Sequence, residues 1–253
     1  MDADGAKSDM SPQQVQLLHD RHRRLAAGGL VWARRRRIAI RSLRRAAWRS
    51  RIWLDAHVKR ALDLVGAIVL LVLLAPLVLA IAIAIKLEDG GPVLFRQTRV
   101  GRNGRPFCMY KFRSMVPDAE ERKAALAALN EMRDGILFKI RRDPRVTRVG
   151  RICRKLSFDE LPQLVNVVRG EMSLVGPRPP VPSEVARYDP GQRRRLTAIP
   201  GLTGLWQVSG RNEIDFDGQV RLDVTYIERR TLALDLAILA RTIPTVISGR
   251  GAS

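Results

Sequence analysis

The 253-residue chain carries 45 Lys and Arg against 25 Asp and Glu, a formal charge of +20. That length holds one sizeable domain with appendages and excludes three, and the charge points to a polyanionic partner: nucleic acid, an anionic membrane face or phosphorylated substrates. Two cysteines, Cys108 and Cys153, lack paired metal-ligand spacing, which argues against a disulfide framework or a zinc site and fits a reducing cytoplasm.

Residues 1–20 are polar at first and lack the basic-then-apolar order of a secretory signal, so they read as a disordered start. Residues 21–58 form a basic amphipathic extension, in which Arg34, Arg35, Arg36, Arg37, Arg41 and Arg49 interleave with Trp32, Trp48 and Trp53. This is the pattern of a helix lying on an anionic membrane surface, the competing reading being a solvated charge run. A membrane helix follows over 59–87. Its centre, LVGAIVLLVLLAPLVLAIAIAI from Leu64 to Ile85, has about the twenty apolar residues that reach across a bilayer, and no polar stripe of the kind a soluble core helix shows. Cations stand on both flanks, Lys59 and Arg60 before it and Lys86 and Arg96 after it, so both ends favour the cytoplasmic side. Pro76, near the middle, removes a helical hydrogen bond and specifies a bend. A re-entrant helix that enters, bends near Pro76 and leaves on the same side satisfies both flanks; a fully spanning helix satisfies one.

Residues 88–253 read as a cytoplasmic catalytic domain of α+β, helix-rich class. Two apolar runs on either side of Gly101–Gly104 predict a hairpin. Pro117–Asp134 reads as a helix opened by proline and early acids. Asp159–Val168 reads as a short helix with Ser157 as N-cap and Glu160 three residues on, a capping box. Leu222–Ser248 is largely helical and apolar, interrupted at Pro244. His19, His22 and His57 all precede the apolar run, so acid and base chemistry beyond it must fall to carboxylates.

The most informative stretch is RKLSFDELPQLVNVVRGEMSLVGPRPP, Arg154–Pro180. Adjacent acids at a helix start are usually only favourable placements in the macrodipole. Phosphate chemistry gives Asp159 and Glu160 a second meaning: one carboxylate attacks phosphorus as a nucleophile while its neighbour holds magnesium. Arginines nearby grip phosphate oxygens bidentately, and the prolines around Arg178 stiffen its loop so that the fork is pre-aimed.

Together with KRALD at 59–63, GPVLFRQTRVGRNGRPF at 91–107, KFRSM at 111–115 and PGLTGLWQVSGR at 200–211, these motifs resemble the bacterial sugar transferase family, the monotopic polyprenyl-phosphate phosphoglycosyl transferases, in its exopolysaccharide-initiating form. The resemblance runs from Lys59 to the C-terminus. It implies that Asp159 attacks the β-phosphate of a UDP-sugar, that UMP leaves, and that polyprenyl (undecaprenyl) phosphate then takes the phosphosugar. It implies that Glu160 binds Mg2+ and assists proton handling, and that Pro177, Arg178 and Pro179 cradle the nucleotide, with Arg154 and Lys155 adding positive charge; Arg113 and Arg211 are further candidates to bind the substrate's phosphates. Lys59, Arg60 and Asp63 are placed by the same resemblance at the lipid headgroups, where they help seat the prenyl phosphate. The location it implies is the bacterial inner membrane with the catalytic domain facing the cytoplasm, and a homodimer is compatible with it.

Ala75 stands where the family usually has serine before the mid-helix proline, so the bend lacks a hydroxyl for its freed backbone groups. Gly201, Gly204 and Gly210, with Trp206, either shape a substrate loop or permit tight turns, the turn reading being favoured, and Cys108 and Cys153 read as small packed side chains. Asp223 and Tyr226 fall on one helical face and match the family's C-terminal pattern, while an exposed Asp–Tyr pair is usually mere surface, and both readings stand. A nucleic-acid-binding membrane protein is the non-enzymatic competitor, but no nucleic-acid-binding signature accompanies the cations, and no nucleic acid is expected as partner. A polytopic transferase needs many apolar spans, and an inactive scaffold sits poorly with the intact acid pair.

Overall fold

The computed structural model describes residues 13, 16–17, 54–125, 140, 143–210 and 214–248. The predicted disordered start apart from residues 13 and 16–17, the arginine-rich stretch up to residue 53, the second half of the Pro117–Asp134 helix (126–134) and Arg211 lie outside them. The chain divides into two units, Met1–His57 and Val58–Ser253; apart from the first turn of α1, the elements below belong to the second.

The apolar run forms two helices, α1 (Leu54–Leu73) and α2 (Ala75–Asp89), bent by 61°. No single described helix is long and apolar enough to cross a membrane. The break falls where the proline predicts it. Pro76 occupies the first turn of α2, a position where its missing N–H costs nothing, whereas in one continuous helix its ring would strike the carbonyl four residues back. Leu74 takes up the bend at φ −93° and ψ 4°.

One side of each half packs on the domain and the other is bare. Ala67 of α1 is buried with Met109, Leu164, Leu174 and Ile238, and Ile81 and Ile85 of α2 with Phe112 and Cys153. Val72, Leu79 and Leu87 stand 72%, 62% and 81% exposed on the same two helices.

The predicted hairpin is present as antiparallel β1 (Leu94–Val100) and β2 (Pro106–Phe112). Its turn closes with Gly101 N–H on the Arg105 carbonyl at 2.8 Å, and Asn103 (φ 57°) and Gly104 (φ 79°) supply the left-handed residues it needs. Then come α3 (Ala119–Ala125), α4 (Arg148–Lys155) and α5 (Gln163–Arg169). A parallel pair, β3 (Ser173–Val175) with β4 (Gly201–Thr203), flanks α6 (Pro182–Val185) in sequence, and α7 (Phe216–Arg229) and α8 (Leu232–Ser248) complete the fold.

Two helix predictions are corrected. Ser157 does not cap a helix: it adopts a left-handed conformation (φ 57°) with no side-chain bond. Phe158–Glu160 forms a single 3₁₀ turn, and the helix proper begins only at Gln163, after Pro162. The C-terminal helical stretch begins earlier than Leu222, at Phe216, where Asp215 accepts from Gly218 N–H as N-cap. It breaks at Arg230–Thr231 and continues through Pro244.

Asn166 fastens α5 to the hairpin. It is fully buried, and its amide behaves like a neighbouring strand: Oδ1 accepts from Tyr110 N–H at 3.1 Å, and Nδ2 donates to the Cys108 carbonyl and to Glu171 Oε2, both at 2.7 Å. The β2 backbone groups that would otherwise be orphaned are thereby satisfied. Replacing Asn166 by Leu keeps the volume and strips these bonds, so thermal unfolding of the detergent-solubilised protein should show a loss of about 2–4 kcal/mol, one to two unpaired buried groups.

Candidate active site

Cross-strand neighbours share a face of a hairpin. Arg99 stands opposite Phe107, Gln97 opposite Met109 and Phe95 opposite Lys111, so one face delivers Arg99, Met109 and Lys111 together. These line an open cleft of about 270 Å³ with Glu160, Gln163 and Arg178.

Asp159 is buried and Glu160 half-buried. The 3₁₀ turn, with Glu160 N–H on the Ser157 carbonyl at 3.2 Å, presents both carboxylates to one cation. Lys111 Nζ lies 2.7 Å from Glu160 Oε1 and 3.6 Å from Asp159 Oδ2. The two acids are thereby made unlike. Burial pushes the Asp159 carboxyl above the ordinary carboxylate range despite the pull of Lys111. Burial also opposes the Glu160 charge, but Lys111 in direct contact, with Arg178 and Arg99 beyond, holds that carboxyl below its ordinary range.

Arg178 sits on a loop held at three points. Gly201 N–H donates to the Pro177 carbonyl at 2.8 Å, Arg99 Nη1 to that of Pro179 at 2.9 Å, and Val100 N–H to that of Pro180 at 2.9 Å. Of residues 172–180 only Arg178 is not buried, so the loop offers the cleft one guanidinium on a fixed backbone. Arg99 is itself buried, which with Arg178 nearby pulls its pKa down to about 10. It remains a cation at neutral pH.

The other predicted site residues separate. Arg154 flanks the acid pair electrostatically, and its Nε donates to Ser114 Oγ at 3.0 Å. Lys155 is exposed on α4 and does not line the cleft. Arg113 is not brought to the cleft: it is buried against Gly91 and paired with Asp89 at the end of α2. Lys59, Arg60 and Asp63 all have partners in the domain. Lys59 Nζ lies 2.7 Å from Asp235 Oδ2, Arg60 donates to the carbonyls of Val167 and Val168 at 2.6 and 2.8 Å, and Asp63 Oδ1 accepts from Leu174 N–H at 3.1 Å. These charges latch α1 to α5, β3 and α8.

Lys111, Arg99, Gln163 and Gln207 are cleft residues that the sequence reading did not single out. Strand alternation was the available signal for the first two, since 95, 97 and 99 must share a face with 107, 109 and 111. Cys108 is exposed, contrary to the packed reading, whereas Cys153 is buried and its thiol pushed up to about 11. Gly201 serves close approach: a Cβ there would lie 2.0 Å from Gly176 N.

Asp223 and Tyr226 are not surface; each is 1% exposed. Asp223 pairs with buried Arg195, whose guanidinium also lies 5.9 Å from the ring centres of Tyr188 and Phe216. Burial nonetheless pushes the Asp223 carboxyl up to about 6. The Tyr226 hydroxyl donates to Asp235 Oδ1 at 2.7 Å, which joins α7 to the Lys59 latch.

A basic cleft with Glu160 on its wall and Asp159 buried beside it, under a loop that carries Arg178, is an arrangement suited to a phosphate-handling transferase. The family comparison agrees: residues 54–249 match the bacterial sugar transferase model, and the chain belongs to that family. It is 50% identical over 195 residues to a galactosyl transferase of Streptococcus agalactiae, covering 77% of this chain and 43% of that protein. It is 46% identical over 197 residues to an undecaprenyl-phosphate galactose phosphotransferase of Salmonella typhimurium, covering 77% and 41%. It is 44% identical over 198 residues to an exopolysaccharide production protein of Rhizobium meliloti, covering 76% and 87%. The matched part thus spans about two fifths of the first two relatives and most of the third.

Replacing Asp223 by Asn leaves the Arg195 cation buried without its counter-charge. Denaturant unfolding should register a loss of about 3–5 kcal/mol, against about 1 kcal/mol or less for an exposed ion pair.

Proposed function

We propose that this chain transfers a hexose-1-phosphate from a UDP-sugar to polyprenyl phosphate, the undecaprenyl form by analogy with the relatives' names, and releases UMP. The observation that carries the reading is the buried Asp159 beside Glu160, with Lys111, Arg99 and Arg178 around the same cleft. In the first half-reaction an Asp159 oxygen bonds to the β-phosphorus, the bond from that phosphorus to the bridging oxygen breaks, and UMP leaves with that oxygen. In the second, an oxygen of polyprenyl phosphate attacks the same phosphorus and the Asp159 carboxylate departs. Arg178, Arg99 and Lys111 bind and neutralise the diphosphate. Low exposure keeps water from the phosphorylated carboxylate, so the sugar phosphate passes to the lipid and is not hydrolysed.

Magnesium fits the donor set. No group of three or more metal-binding side chains occurs among the described residues, but Mg2+ characteristically takes one or two carboxylates plus substrate phosphates and water. Glu160, ionised and on the cleft wall, is the residue to hold it, with Asp159 adjacent. When bound, the ion neutralises charge on the diphosphate and the leaving group.

The bent α1–α2 pair supports a re-entrant membrane segment whose bare side faces lipid and whose two ends lie on the cytoplasmic side of the inner membrane. Lys59, Arg60 and Asp63 then fix the domain to the bilayer surface, so that a lipid-borne phosphate reaches the cleft. Initiation of exopolysaccharide or another surface glycan is the pathway role that the relatives' names support.

UMP release from UDP-sugars, measured with and without magnesium and undecaprenyl phosphate, tests the mechanism. Asp159→Asn should abolish release, Glu160→Gln should reduce it by about 10²-fold or more as expected for loss of a charge-stabilising group, and chelation should stop it. Full activity in Asp159→Asn would sink the covalent route. A second expectation concerns pH. Because only ionised Asp159 attacks and its carboxyl lies above the ordinary carboxylate range, activity should rise with pH along a limb placed above that range. Lys111→Met removes an attraction that favours ionisation, so the limb should move to higher pH; an unmoved limb would count against Asp159 as the titrating nucleophile.

A further inference from the structure

The cleft also has amides without a role in that mechanism. Gln163 is 3% exposed and lines the cleft, yet no hydrogen bond occupies its side-chain amide among the described residues. Gln207 lines the same cleft. Its Oε1 is buried without a partner, and its Nε2 reaches the Leu202 carbonyl at only 3.4 Å. Buried amides are ordinarily satisfied, and leaving one bare costs free energy. Here the buried Gln207 Oε1 is left bare, and the Gln163 amide beside the same cleft is unengaged.

We infer that Gln163 and Gln207 form a sugar-reading subsite, which hydrogen-bonds the hydroxyls of the hexose on the donor's β-phosphate. The inference rests on the proposed donor and adds to it the residues that grip its sugar. An amide offers two donor hydrogens and an acceptor oxygen, the set that matches vicinal hydroxyls, each of which both donates and accepts. Position favours the sugar over the base. Gln163 lies four residues beyond Asp159, at the first turn of α5, in the segment that carries the proposed nucleophile. The hexose is bonded to the β-phosphate, whereas uracil lies a ribose and a second phosphate away. Neither amide carries charge, so neither adds to the phosphate grip that Arg99, Lys111 and Arg178 already provide.

The origin of the amides in sequence is plain once the fold is known. Gln163 belongs to the Asp159–Gln163 turn-to-helix segment that carries the nucleophile. Gln207 lies in the 3₁₀ turn Trp206–Val208 that follows β4, and the β3–β4 pairing brings that turn beside the Arg178 loop. Two segments more than forty residues apart in the chain thus meet at one ligand.

The test compares binding of UDP-hexoses and of UMP to the full-length protein in detergent, by calorimetry and by ligand-induced thermal shift, for wild type, Gln163→Met and Gln207→Met. Methionine keeps the length and volume of glutamine and removes its polar atoms. Each variant should bind a UDP-hexose that the wild type accepts about tenfold more weakly, the worth of a hydrogen bond, while UMP binding stays unchanged. On the wild type, a donor lacking one hexose hydroxyl should show the same loss, and that loss should not add to the variant's. This arm stands even where a variant fails to fold. Equal weakening of UMP would overturn the sugar assignment in favour of base or phosphate contact, and unchanged binding throughout would make the amides structural. Wild type that binds UDP-hexoses and releases UMP beside indifferent variants sinks the subsite alone; wild type that binds no UDP-sugar sinks the proposed function and the subsite with it.

Discussion

The Asn166 amide decides where the acid pair meets its lysine. The Asp159–Glu160 turn precedes α5, and Lys111 follows Tyr110 on β2; nothing in the chain's local order makes these segments meet. Asn166 bridges them, taking the Tyr110 N–H and giving to the Cys108 carbonyl from a position with no solvent exposure. With β2 held against α5, Lys111 Nζ falls between the two carboxylates. Without it the hairpin edge would carry unsatisfied polar groups, and the ammonium would have no reason to stop there.

A second constraint is the coupling of the bent apolar helix pair to this centre. Charges commonly assigned to a lipid surface are spent inside: Arg60 closes the end of α5 through the carbonyls of Val167 and Val168, Asp63 takes the Leu174 N–H, and Lys59 meets Asp235. The helix bearing the acid pair's neighbours is thereby tied to the helix with the bare apolar side. Such ties set the position of the cleft relative to the bare apolar side of the bent helix pair. They also account for buried charges that would be costly if left unpaired.

The acid pair shows how one lysine can make two adjacent carboxylates differ. Asp159 loses more to burial than Lys111 returns, whereas Glu160, closer to the ammonium and nearer the cleft, gains more than it loses. One carboxyl is thus raised above its ordinary range and the other held below it, within reach of a single ammonium. Arg99 serves similarly at the opposite charge. It holds the Pro179 carbonyl and so keeps Arg178 in place, while its own burial is offset by that bond and by the one to Gln97.

Local order determined much. The hairpin around Gly101–Gly104, the bend at Pro76, the acid pair and the stiff Pro177–Pro180 loop follow from side-chain chemistry that acts over a few residues: missing N–H groups, glycine freedom and strand alternation. Their clustered motifs were enough to indicate the family. What the sequence could not decide depends on which distant groups compensate one another. Arg113 and Lys111 look equivalent in KFRSM, yet Arg113 pairs with Asp89 and Lys111 with the dyad. Asp223 and Tyr226 look like surface on a helical wheel, yet both are buried because Arg195 and Asp235 arrive from other elements. Ser157 has the pattern of a cap, yet Pro162 delays the helix. A charge or an amide buried in a low-dielectric interior takes its meaning from its partner, and the partner is chosen by packing across the whole chain.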